Sequence, residues 1–489
     1  MWYFSSPDWA NKIALESSRQ SLTYQQLADA VTAHQTWLQA QSIQTLAIAM
    51  DNCVEWVLFD LACQQAGLCC VPVPSFFSPA QTSHLLTQSG VELLLTEDSS
   101  EQTNETPFQQ VFMQRFQVDT PPVMPQGTHK ITFTSGTTGN PKGVCLSTQS
   151  QQNVAQSLAE AVAIPQVRHL CLLPLTTLLE NVAGVYAPLL VGGTVILASQ
   201  SDRGFSGSRL TQPQNMLTLI SQQQPHSVIL VPELLSLFIG ACIQGWQPPS
   251  SLQFIAVGGG KVAPGLLNKA RALGLPVYQG YGLSECASVV ALNTPQEELL
   301  SSAGKVLPHN QLRIEDDELI VSGNLFLGYL NQPDSFYPQE VHTGDLVRLD
   351  QHFLTIEGRR KNVLINSFGR NISPEWVEAE LMATGCFREV LVFGDALPCC
   401  GALLTPLHEA ISEQQIAHCL QTTNQGLPDY AQIVHWITLS QPFISINGLV
   451  TATGKPIRDK ILTHFQQEIT ALYASSYDSA YPSSIGDIR

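Results

Sequence analysis

Short apolar runs rich in β-branched residues alternate with longer stretches of helical periodicity through most of the chain, the pattern of α/β layering. Residues 45–50 predict a strand, 53–66 a helix, 69–74 a second strand and 91–96 a third. Residues 99–129 are polar and turn-rich, with Pro121 and Pro122 adjacent, and predict a surface connection. A short strand at 131–134 runs into a glycine-rich loop, and a helix is expected over 150–162. The rhythm continues with strands near 170–173, 194–197, 227–231 and 254–257. Between 311 and 356 it changes to short strands separated by turns (QLRIEDDELIVSG, GDLVRLDQHFLTIEG), which predicts a small β-rich subdomain closing the large one. From about 361 the strand–helix pattern restarts. The expected division is an N-terminal domain over 1–360 and a C-terminal domain over 361–489, with SSYDSAYPSSIGDIR at the end as a loosely held tail.

Length supports that division, because 489 residues exceed what one hydrophobic core serves. Composition narrows the function classes. Apolar residues make up 44% and charged residues 13%, which fits a folded chain rather than a disordered one. With 40 acidic against 23 basic side chains the net charge is -17, which offers no general attraction to nucleic acid or to an anionic membrane. An anionic substrate must therefore be held by local cations and backbone N–H groups. The twelve cysteines show no zinc spacing and no disulfide framework, only the adjacent pairs Cys69–Cys70 and Cys399–Cys400. The N-terminus, MWYFSSPDWANK, lacks the pattern of a signal peptide. The most apolar stretch, 183–198, contains Pro188 and a Gly pair and falls short of the roughly eighteen residues a bilayer span needs. A reduced, cytoplasmic enzyme without stable membrane insertion is expected.

The strongest local feature is ITFTSGTTGNPKGV, residues 131–144. Thr134, Ser135, Thr137 and Thr138 supply hydroxyls, Gly136 and Gly139 permit tight turns with open N–H groups, and Lys142 adds a mobile cation. Such a loop suits a polyphosphate. It is not a Walker A loop, since Lys142 follows Pro141 and precedes Gly143. The alternative, an ordinary Gly/Thr surface turn, leaves so long a run of small and hydroxylic residues without a purpose.

The loop resembles the phosphate-binding signature of the acyl-adenylate-forming superfamily, most like its acyl-CoA synthetases. Four further stretches match in order: GYGLSE at 280–285, TGD at 343–345, GRRKNVLINSFGRNISPEWVE at 358–378 and TATGKPIR at 451–458. The resemblance implies an α/β fold with a large N-terminal domain of several subdomains, built from β-sheets and helices, and a small mobile α+β C-terminal domain. It implies ATP, Mg2+ and coenzyme A as cofactors or co-substrates, and a small carboxylic acid as substrate. The acid carboxylate attacks the α-phosphorus to give acyl-AMP and pyrophosphate, and a thiol then displaces AMP.

The same resemblance assigns roles residue by residue. Lys455 carries charge to the reacting carboxylate and α-phosphate, and TATGKP is expected to present it on a short exposed hairpin. Glu285 is the Mg2+-associated carboxylate, and Ser284 keeps the hydroxyl of the more usual threonine. Tyr281, followed by Gly282, stacks on adenine or else packs inward. Gly258, Gly259 and Gly260 let backbone approach the adenine or the acid, or else form a simple turn. Asp345 accepts hydrogen bonds from the ribose hydroxyls with Arg359 as companion, Thr343 lies near the α-phosphate, and Lys361 occupies the hinge. Arg370, beside Gly369, contacts the thiol partner or is a solvated charge.

The acid site is expected between 173–184 and 257–265. Thr177 stands where the family often has histidine or an aromatic residue, and Thr148 replaces a common histidine. LLEN at 178–181 has some likeness to long-chain fatty-acid synthetases and favours an apolar tunnel. Lys261 meets a polar substituent of the acid or forms a surface salt bridge. Coenzyme A is the first choice of acceptor. An acyl carrier protein is the second, and a β-lactone synthetase that uses no thiol is the third. A binding or scaffold protein with its chemistry lost would have damaged Lys142, Glu285, Asp345 or Lys455, and all four are present.

Overall fold

Leu46, Ala47 and Ile48 are buried on both faces of the strand Thr45–Ala49, as a strand flanked by parallel neighbours must be. It pairs in parallel with Cys69–Pro72 and with Leu93–Thr96. Between the first two runs the helix Val54–Ala66, whose first turn is capped by the Cys53 side chain accepting from the Trp56 N–H. It ends at Gly67, whose φ of 71° is left-handed and open to glycine at no steric cost. The helix buries Trp56, Phe59 and Leu61, and also Asp60.

A computed structural model of the chain describes every residue except 1–5, 101–102, 135–140, 208, 261, 366–370, 398, 429–430, 447, 452–453 and 481–489. The chain divides into two compact units. The first is Met1–Thr343 with Val347–Ile356, and the second is Gly344–Leu346 with Glu357–Arg489.

Among the described residues the first unit holds an eight-stranded sheet that contains Thr45–Ala49 and the hairpin Lys130–Thr134/Lys142–Leu146. A thirteen-stranded sheet has a parallel centre of Arg168–Cys171, Ser227–Leu230, Phe254–Val257 and Val277–Leu283. One large apolar core lies under the eight-stranded sheet and helices, and a second lies around Leu170, Ile229, Phe238 and Ile255. The second unit packs the helices Pro374–Ala383 and Glu413–Gln425 on a three-stranded sheet of Phe387–Phe393, Cys400–Pro406 and Ile433–Thr438. The fold is thus mixed α/β with a large N-terminal and a small C-terminal part.

Several expectations are corrected. The glycine-rich stretch is followed by a strand, Lys142–Leu146, which pairs antiparallel with Lys130–Thr134, before the helix Thr148–Val162. The connection at 99–129 contains the strand Phe112–Arg115, which pairs antiparallel with Leu93–Thr96 and extends the sheet. The strands Asn310–Glu315, Glu318–Gly323, Glu340–Asp350 and Phe353–Arg359 keep a small core of their own around Val290, Leu319 and Leu354. They nevertheless hydrogen-bond into the thirteen-stranded sheet. The tail is helical as far as Ala480, within Gln466–Ala480. Cys386 and Cys419 form a disulfide, where an all-thiol chain was expected, because the turn after one helix and the body of the next bring them together. No helix among the described residues is long and apolar enough to cross a membrane.

Candidate active site

Strand register places the phosphate-loop signature. Pairing runs from Lys130 opposite Leu146 to Thr134 opposite Lys142, so the signature is flanked on both sides by paired strands. Thr134 is half-buried and Lys142 is exposed, while Ser135, Gly136, Thr137, Thr138 and Gly139 lie outside the described residues. The foot of the hairpin is anchored by a group the sequence reading missed. Lys130 is 1% exposed, with its Nζ 2.7 Å from Asp60 Oδ1. It also donates to Asn181 Oδ1 and to Tyr186 Oη, and it lies over the Tyr186 and Trp56 rings. Tyr186 Oη in turn donates to Asp60. A charge so deeply buried is tolerable only when paired and hydrogen-bonded, and here both conditions are met. No spacing signal joins residues 60, 130, 181 and 186.

Glu285 sits in a single 3-10 turn, Ser284–Cys286. The next two residues, Ala287 and Ser288, have φ of 59° and 125° without being glycine, a strained conformation of the kind that collects at functional sites. The Glu285 carboxylate accepts a 2.7 Å hydrogen bond at Oε1 from Tyr329 Oη, and its backbone carbonyl accepts from the Phe326 N–H. Burial, then the Glu285 charge, pushes the Tyr329 phenol well above its ordinary pKa, so it stays a donor. The same ring carries Lys142 Nζ 5.5 Å from its centroid. The structure thereby brings Lys142 and Glu285 onto one aromatic side chain.

Tyr281 lies inside the strand Val277–Leu283, half-buried against the small core around Val290 and Leu354. Gly282 has a packing reason: a Cβ there would stand 2.1 Å from the Ser288 carbonyl oxygen. Gly258 donates its N–H to the Leu230 carbonyl, and a side chain on it would meet the Gly280 carbonyl at 3.7 Å and Leu179 Cδ2 at 3.8 Å. Gly259 has φ of 80°, and a Cβ on Gly260 would press on Pro232 at 3.3 Å. Gly258 thus has bare Gly280 backbone on one side and the apolar Leu179 side chain on the other.

The other half of LLEN is committed to buried hydrogen bonds. Glu180 and Asn181 open a π-helix, Glu180–Tyr186, and both are buried. Glu180 Oε1 is 2.9 Å from His169 Nε2, Oε2 accepts from the Leu173 N–H, and His169 Nδ1 is 2.9 Å from Ser227 Oγ. Gly184 leaves room for this cluster, since a Cβ would stand 2.3 Å from Glu180 Oε1. The Thr177 hydroxyl donates to the Pro174 carbonyl. Thr148 Oγ1 lies 3.2 Å from His129 Nδ1.

In the second unit Asp345 is buried and its Oδ1 is 2.7 Å from Arg359 Nε, so these two predicted residues do meet. Thr343, in the first unit, donates its hydroxyl to the Leu319 carbonyl. Lys361 is exposed in the short turn Arg360–Asn362. Lys455 is exposed on a tight turn: the Thr451 N–H donates to the Lys455 carbonyl, the Lys455 N–H donates to Thr451 Oγ1, and Gly454 has φ of 79°. Arg458, at the end of that signature, donates to the Val392 carbonyl and to Glu378 and pins the turn to the unit's core. Arg370, Gly369 and Lys261 lie outside the described residues.

Comparison with known proteins gives these sites a context. A model of the "AMP-binding enzyme" family matches residues 5–326, and one of the "AMP-binding enzyme C-terminal domain" matches 361–477. A 2-succinylbenzoate–CoA ligase of Bacillus subtilis is 29% identical over 419 residues, 78% of this chain and 82% of its own. The long-chain-fatty-acid–CoA ligase FadD15 of Mycobacterium bovis is 30% identical over 246 residues, 44% of this chain and 41% of its own. Among solved structures, the Bacillus subtilis O-succinylbenzoate coenzyme A synthetase in complex with ATP and magnesium ion superposes with a TM-score of 0.73 at 25% identity. That superposition covers 94% of this chain and 98% of that one.

Proposed function

The chain belongs to the family of AMP-binding enzymes, and on that premise we propose that it activates a carboxylic acid as acyl-AMP and transfers the acyl group to coenzyme A. In the first step a carboxylate oxygen bonds to the α-phosphorus of ATP and pyrophosphate leaves. In the second the thiol sulfur bonds to the acyl carbon, AMP leaves with the electron pair of the broken C–O bond, and the thiol proton passes to solvent.

The observation that carries this reading is the convergence of Lys142 and Glu285 on Tyr329, beside the hairpin that bears the phosphate-loop signature. Glu285 suits a hard cation: one carboxylate oxygen is fixed by Tyr329, and Oε2 has no partner among the described residues. Magnesium, bound there with ATP, would offset phosphate charge. Lys142 holds the β- and γ-phosphates as a mobile point charge. Asp345, steadied by Arg359, accepts from the ribose hydroxyls. Lys455, on an exposed turn closed by the Thr451 N–H, supplies charge where two anions react. Lys361 is assigned as the hinge between the two half-reactions.

For the acid, the apolar Leu179 side chain beside Gly258 supports a fatty or other apolar chain. A second reading, 2-succinylbenzoate itself, is favoured by the relatives that act on it and match most of their own length. The test is a panel of fatty acids, benzoates and 2-succinylbenzoate with Mg-ATP, with products read by mass with and without coenzyme A. An acyl-CoA from a fatty acid supports the first reading, and one from 2-succinylbenzoate alone supports the second. Acyl-AMP that coenzyme A fails to discharge moves the acceptor to an acyl carrier protein. No acid-dependent exchange of labelled pyrophosphate into ATP would reject the reaction.

A further inference from the structure

We propose that Tyr329 is the positioning residue that holds the Glu285 carboxylate for a divalent cation and ties it to Lys142, so that metal and triphosphate bind as one event. This deepens the function proposed above and rests on it. None of the five sequence signatures contains Tyr329, and its case is geometric.

The segment around it is stitched on both sides. At one end the Phe326 N–H donates to the Glu285 carbonyl at 2.7 Å. Further along, Leu327 donates to the Cys145 carbonyl and Leu330 to the Gly143 carbonyl, while Gly328–Tyr329 pairs antiparallel with Cys145 and Val144. The same five residues therefore touch the turn that carries Glu285 and the strand that begins at Lys142. The Tyr329 backbone is itself held by Ser335 Oγ, which accepts its N–H at 2.8 Å. Its ring packs edgewise on Phe326, with centroids 4.9 Å apart. Gly328 has φ of 138°, and a Cβ there would stand 2.7 Å from the Phe336 ring, so the approach is open only to glycine. A phenol presented from such a backbone has little freedom.

What it presents is two different functions. Its O–H donates to one oxygen of Glu285, which fixes the carboxylate and leaves the second oxygen for a cation. Partners of this kind orient metal-binding carboxylates, and their loss typically weakens metal affinity or activity. Its π-face receives the Lys142 ammonium, a weaker and more adaptable attraction. One side chain thus sets the spacing between a metal-binding anion and a phosphate-binding cation that belong to different elements.

The two functions separate by substitution in the full-length protein. Tyr329→Phe keeps the ring and removes only the donor. It should weaken Mn2+ binding in the presence of a non-hydrolysable ATP analogue, read by electron paramagnetic resonance of free Mn2+, by about tenfold to a hundredfold. Metal-free binding of the analogue should stay at the wild-type level. Tyr329→Leu should lose the metal to the same degree and weaken metal-free analogue binding as well, by about two- to fivefold. Glu285→Asp draws the carboxylate out of reach of the phenol, so adding Tyr329→Phe to it should cost nothing further, the mark of two groups acting through one contact.

Wild-type Mn2+ affinity in Tyr329→Phe, or strictly additive losses in the double variant, would overturn the assignment. If the wild-type protein exchanges no pyrophosphate with any acid, the reaction assignment fails, and the Mn2+ titrations still decide the role of Tyr329.

Discussion

Gly282 and Lys455 mark two ways in which a single position matters. Gly282 belongs to a signature read as nucleotide-binding, yet its missing side chain has a packing cause, the Ser288 carbonyl oxygen 2.1 Å from where a Cβ would lie. The obstacle is backbone and cannot rotate aside. Gly282→Ala should therefore destabilise the N-terminal unit by about 1–3 kcal/mol, the range for overpacking, read as a lower urea midpoint of that unit's unfolding. Lys455 is the opposite case. It is exposed on a turn held through its own backbone N–H and carbonyl, groups that an alanine keeps, so the turn should survive the loss of the side chain. Lys455→Ala should slow single-turnover pyrophosphate release by about a hundredfold to a thousandfold, as expected for a lost charge-stabilising group at a reacting centre. ATP affinity should be retained, and release at the normal rate would take Lys455 out of the chemistry.

Elements decide whether such positions are presented at all. The turn bearing Lys455 is followed by the helix Arg458–His464, whose first residue reaches Glu378 on the helix Pro374–Ala383 and the Val392 carbonyl on the strand Phe387–Phe393. Burial raises the Glu378 carboxyl above its usual value near 4.5, with Arg458 opposing the rise. A raised carboxyl favours the folded state most below that usual value, and the gain is lost as pH rises through the folded pKa. R458M leaves this carboxylate buried without its partner and should destabilise the C-terminal unit by about 3–5 kcal/mol at neutral pH. The double variant R458M/E378Q should recover part of that loss, and the difference between the two should shrink as pH falls into the carboxylate range. A pH-independent difference would refute the electrostatic account. These elements were unevenly legible in sequence. Buried parallel strands such as Thr45–Ala49 announced themselves as apolar runs, and Asp345 with Arg359 or the Lys455 turn came from ordered signatures. Lys142–Leu146 did not, because a strand that opens with lysine and glycine after a loop reads as more loop until its partner Lys130–Thr134 pairs with it. LLEN at 178–181 favours an apolar tunnel by its likeness alone, and only the arrival of His169, Asp60 and Lys130 from distant elements explains why Glu180 and Asn181 are buried. Tyr329 carries no local signal, since its value lies in what it joins.

For the molecule as a whole, the chain forms two compact units with separate apolar cores. Lys361→Pro stiffens the chain near the start of the second unit and should slow thiol transfer while acid-dependent pyrophosphate release keeps its wild-type rate. Equal loss in both would argue against a hinge. The setting of Lys130 also bears on how this protein answers to covalent labelling. An amine-directed reagent finds Lys142 and Lys455 at the surface, while Lys130, sealed among Asp60, Asn181 and Tyr186, is withheld until the first unit opens. Its acylation under denaturant therefore serves as a built-in clock for the loosening of the paired strands Lys130–Thr134 and Lys142–Leu146.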